Sequence, residues 1–152
     1  MPTVTRFEDL EIWQLARIQA NDFNAISNEG PLTRDFELRN QMNASSGSVM
    51  DCIAEGFERS GNAEFKNFLV IAKGSNGEFR SQLYRCLDRK YIIQLNFDEL
   101  YQKNVVLGNK IMAFINYLQT STFKGQARRT KGFLPNVEHQ TSNIEHRDRT
   151  SF

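Results

Sequence analysis

Apolar residues recur every three or four positions over most of this chain, and nowhere do they alternate with polar ones for long. That period is helical. The first segment runs from Glu8 to Ser27, with Ile12, Trp13, Ala16, Ala20, Phe23 and Ile26 on one face. Thr5 and Glu8 have capping-box spacing before it. Glycine and proline in "NEGPL", Asn28 to Leu32, break the pattern. A second helix is predicted over Asp35–Phe57, where Leu38, Met42, Ser45, Val49, Cys52 and Gly56 repeat at fours and threes with Ile53 beside them. "RSGN", Arg59 to Asn62, is a short turn. The third helix continues to Lys90 with Phe65, Phe68, Ala72, Ser75, Phe79 and Cys86 on one stripe.

A fourth helix opens with Asn96 as N-cap and Glu99 three residues later. Leu100, Leu107, Ile111, Phe114 and Leu118 form one stripe, and Tyr101, Val105, Met112 and Ile115 the adjacent one. One inward seam needs less than this, so the surplus predicts a partner surface. Four amphipathic helices with short connections imply an all-α, antiparallel up-down-up-down four-helix bundle over residues 1–123. Past Phe123 the period ends, and residues 124–152 read as a disordered polar and basic tail.

The glycines of "AKGSNGE", Ala72 to Glu78, raise the question of a phosphate loop. Such a loop follows a strand and puts its lysine after the second glycine. Here Lys73 comes first, and the stripe from Phe65 to Phe79 keeps one helical phase through both glycines. The segment is therefore helix. Each interior glycine costs about 1 kcal/mol relative to alanine, which close packing would offset. A hairpin turning near Ser60–Gly61 sets Gly74 level with Gly47, Ser75 with Ser46, and Gly77 with Ala44. Gly47, Gly56, Gly74 and Gly77 are thus expected where the backbones of helices two and three approach closely.

The same register separates the chemically tempting pairs. Cys52 and Cys86 lie roughly 25 Å apart along the hairpin, too far for a disulfide. Glu55 and Glu78 are about 18 Å apart, too far to share a metal ion. The only histidines, His139 and His146, fall in the tail, so no hydrolytic triad or Glu-x-x-His metal motif can form in the bundle. No catalytic residue, metal, cofactor or small-molecule substrate is expected.

Composition adds little beyond this. Apolar residues at 39%, including 12 phenylalanines among 152 residues, supply a core for one domain. No apolar run is long enough for a bilayer and no leader pattern is present, so the reading is cytoplasmic with no membrane partner. Net charge is +1, but residues 1–123 carry 13 basic against 15 acidic side chains, and the remainder six against three. Within the acidic part, Arg59, Lys66, Lys73 and Arg80 recur at sevens, a stripe suited to nucleic-acid phosphates. A solvated helix face would look the same, and the stripe offers no aromatic residue for stacking bases.

"FEDLEIW" (Phe7–Trp13), "IAEGFERS" (Ile53–Ser60), "EFKNFLVIAKGSNGE" (Glu64–Glu78) and the short link after "RKYI" (Arg89–Ile92) resemble a bacterial four-helix-bundle family. Its members were first described as proteins encoded in intervening sequences of large-subunit ribosomal RNA genes. They are related to the accessory variability protein of diversity-generating retroelements. The resemblance covers residues 6–120. It implies a homo-oligomer, a pentamer, with no enzymatic activity and with a basic surface for nucleic acid. This chain departs from the family pattern at Met50 and Cys52, where proline and asparagine are usual, and at Asn43 and Ala44, where paired arginines are common. Two functions follow as expectations: a self-assembling protein that binds RNA through helix three, or a pure protein–protein assembly module.

Overall fold

A computed structural model describes residues 3–120. Four helices fill this span: α1 (Glu11–Ser27), α2 (Phe36–Glu58), α3 (Asn62–Asp88) and α4 (Gln94–Thr120). Short 3-10 turns at Phe7–Asp9 and Gly30–Arg34 precede α1 and α2. Each helix packs on the two beside it in antiparallel sequence, which makes an all-α four-helix bundle. The expected tail, residues 124–152, lies outside the described residues.

The stripes read from the sequence face inward. Leu38, Met42, Ser45, Val49, Cys52, Ile53 and Gly56 of α2 are buried, as are Phe65, Phe68, Ala72, Ser75, Phe79 and Cys86 of α3. Both cysteines are free and buried. On α4 the two stripes converge on the core more than expected. Ile115 is buried and Tyr101 and Val105 are half-buried, leaving only Met112 of the second stripe exposed; Val106, on neither stripe, is exposed as well.

Helix starts differ from the sequence reading at two places. Thr5 and Glu8 form no capping box, because α1 starts only at Glu11. Arg6 pairs with Glu8 at 3.1 Å and Asp9 at 3.7 Å, and Phe7 packs edge-on against Trp13 at 5.1 Å. These contacts hold the preceding residues in a separate turn. Asn96 is not the cap of α4, since Phe97 N–H already donates to Ile93 C=O at 3.1 Å. The link is displaced toward the N-terminus: α3 ends at Asp88 and not Lys90, closing with Lys90 N–H to Leu87 C=O (3.0 Å) and Tyr91 N–H to Cys86 C=O (2.8 Å). That bonding pattern places Lys90 in left-handed backbone at φ 60°. Asp35, by contrast, caps α2 by accepting from Leu38 N–H at 3.1 Å.

The α2–α3 register is shifted by two residues from expectation. Ser75 meets Ser48 at 2.9 Å rather than Ser46, which turns back to Met42 C=O at 2.8 Å. Of the four glycines, Gly56 sits at a close approach: a Cβ there would lie 2.6 Å from Phe68 Cβ and 2.9 Å from a Phe65 ring carbon. Gly47, Gly74 and Gly77 do not. A Cβ on any of them meets nothing within 4 Å, because α3 turns Gly74 and Gly77 away from α2. The segment is continuous helix, as its phase requires, but the close-packing explanation for those three glycines fails.

Two apolar clusters divide the core. One contains Ile12, Ala16, Ile53, Phe65, Leu69 and Ile111, the other Phe23, Leu38, Met42, Phe79, Leu83 and Leu100. Between them lies a buried polar layer. Gln19 of α1 donates to Asn76 Oδ1 of α3 at 3.1 Å, and Asn104 of α4 donates to Gln19 Oε1 at 2.9 Å. Asn76 returns a bond to Asn104 C=O at 3.0 Å. Gly108 leaves room for the Asn76 amide, whose nitrogen is 3.2 Å from where a Cβ would stand.

Candidate nucleic-acid interface

In a helix, residues seven apart are nearly two full turns apart and return to almost the same azimuth. Inside α3 this holds for Lys66, Lys73 and Arg80. Lys73 is exposed and the other two are half-buried. None of the three forms an ion pair with another described residue. Their charges are therefore available to an external anion.

Arg59 does not belong to this surface. It lies outside α3, in extended backbone at the C-cap of α2, so the heptad phase does not reach it. Its side chain is only 5% exposed, with the guanidinium 5.2 Å over the Phe68 ring. Arg85 and Arg89 also turn elsewhere: Arg85 donates to Gln41 at 3.0 Å, and Arg89 pairs with Asp35 at 3.0 Å.

An aromatic residue on the stripe was missed. Tyr84 is one turn beyond Arg80 and five turns of about 3.6 residues beyond Lys66, so it shares their azimuth. It is 46% exposed. Phe97 and Tyr101 of α4 brace its ring at centroid distances of 5.0 and 6.0 Å. Counting fives of turns as well as sevens of residues would have found it. Exposed Val70 and Gly74 lie along the same outer face.

Elsewhere the described residues offer little chemistry. No three His, Cys, Asp or Glu side chains gather around a point that one ion could reach. A groove of about 390 Å³ has Val4, Leu10, Phe114 and Tyr117 on its walls, and its charged residues are already paired, Lys110 with Glu11 at 2.8 Å and Asp9 with Arg6 at 3.7 Å. Burial pushes the Cys86 thiol up to about 11, so it is not a thiolate at neutral pH. Glu78 is also raised by burial, but its neighbour Gln82 donates to it at 3.3 Å as a packing contact. No described helix is long and apolar enough to cross a membrane.

The sequence profile of the 23S rRNA-intervening sequence protein family matches residues 8–113. The chain belongs to this family. The match spans α1, α2, α3 and most of α4, so it includes every residue of the surface just described. No curated protein matches the chain.

Proposed function

We propose that the chain is a non-enzymatic cytoplasmic protein that assembles with copies of itself and holds RNA along the outer face of α3. The observation that carries this reading is the alignment of Lys66, Lys73 and Arg80, on one side of one helix, with no acidic partner among the described residues. From Lys66 to Arg80 the helix rises about 21 Å, long enough to follow several phosphates. Membership of a family named for ribosomal RNA intervening sequences favours RNA as the polyanion. The test is RNA affinity of the full chain at low salt beside Lys66→Glu/Lys73→Glu. Loss of binding in a variant with unchanged helicity supports the reading, and equal binding rejects it.

A second reading, an assembly module with no nucleic-acid role, draws on a different observation. Gly74 and Gly77 leave bare backbone on the outside of α3, and no described residue packs over either position. Val70, Val106 and Met112 add exposed apolar surface. A neighbouring copy covering that surface would account for glycines that otherwise only weaken the helix. Light scattering gives the subunit number, with five following from the family resemblance alone. Assembly that disappears in Gly74→Leu while the monomer stays folded would place the subunit contact on α3. In that arrangement RNA could not lie on the same face.

A further inference from the structure

We propose that Tyr84 is the base-stacking platform of a single-stranded RNA site on the outer α3–α4 seam. The inference rests on the RNA reading above and narrows it to unpaired strands. Lys66, Lys73 and Arg80 form a line of cations that ends at an exposed phenol ring one helical turn further on. Residues four apart on a helix are neighbours, so Arg80 can hold a phosphate beside a base lying on Tyr84. Exposed Asp88, the next residue in the series, ends the positive run.

The ring is poorly explained as core. Phe97 beneath it is buried and Tyr101 half-buried, whereas Tyr84 keeps nearly half its surface in solvent. Yet it is not loose: Phe97 meets it at an interplanar angle of 61° and Tyr101 at 79°. A ring already held in place loses little freedom when a base settles on it. Duplex recognition has no use for such a ring, because paired bases are covered by their own neighbours. An unpaired base has a free face, and stacking on an aromatic side chain tolerates any base. The seam should therefore select strandedness and not sequence.

The experiment uses the full chain and a fluorescein-labelled 20-nucleotide oligouridine, alone or annealed to oligoadenosine, with anisotropy read at low salt. The single strand should bind at least tenfold more tightly than the duplex. Tyr84→Leu, which keeps apolar bulk over Phe97 but removes the π face, should weaken single-strand binding by about 5- to 150-fold. Tyr84→Phe should stay within twofold of the parent. Ultraviolet cross-linking of a 5-iodouridine strand should label the peptide that contains Tyr84, which gives a readout independent of variant stability. If Tyr84→Leu binds like the parent while Lys66→Glu/Lys73→Glu does not, stacking is overturned and the RNA reading survives. Equal affinity for duplex and single strand has the same meaning. Failure of the parent to bind either probe overturns both.

Discussion

Gly56 and Gly74 lack the same atom for different reasons. At Gly56 a methyl group would strike Phe68 Cβ, which is fixed to the α3 backbone and cannot swing aside. Gly56→Ala should therefore cost roughly 1–3 kcal/mol through overpacking. At Gly74 a methyl group meets nothing, so Gly74→Ala should stabilise the single chain by about 1 kcal/mol through helix propensity. Urea unfolding of the two variants would show midpoints moving in opposite directions. Asp35 carries a pH-dependent contribution. Its hydrogen bond from Leu38 N–H, then that from Tyr91, with Arg89 adjacent, holds its carboxyl below the ordinary 3.8. The charged form is the bonded one, so the contribution is complete above the unfolded value and is lost as pH falls through the lower folded one. In thermal melts the advantage of the parent over Asp35→Asn should be full at pH 7 and shrink below about pH 4.

At the scale of elements, the interior of each helix was legible because burial selects one residue in every three or four. Phe65 through Cys86 held their phase over the whole of α3. Helix ends were less legible, since several local contacts compete for the same few groups. Arg6 took the Glu8 carboxylate that a capping box needed, and the turn after Asp88 started α4 before Asn96. The turn itself was read nearly where it lies, but the register slipped by two because counting outward from its centre does not fix how far one helix is offset along the other. Gln19, Asn76 and Asn104 were missed as a group. Each occupies a core phase, Gln19 between Ala16 and Phe23 and Asn104 between Leu100 and Leu107, but a lone polar residue there reads as an interruption. Together they tie α1, α3 and α4 at one level and fix their alignment. Asn104→Ala would leave the Gln19 and Asn76 amides short of partners in a dry core, at a cost of roughly 2–4 kcal/mol in chemical denaturation.

Across the whole molecule, the bundle was legible and its outer surface only partly so. Periodicity locates what faces in, and what faces out is the residue of that assignment. Lys66, Lys73 and Arg80 could be placed from spacing, whereas spacing alone also admitted Arg59, which the turn before Asn62 sets outside α3. The account depends on α3 presenting free cations to RNA, and salt dependence measures this most directly. Each phosphate neutralised on a single strand contributes about −0.7 to the slope of log affinity against log salt. Removing two contacts in Lys66→Gln/Lys73→Gln should flatten the slope for oligouridine by roughly 1.4 relative to the parent. The basic residues beyond Thr120 are common to both proteins, so their share cancels in the difference. Parallel slopes for the two proteins would contradict the account and leave α3 without a role in nucleic-acid binding.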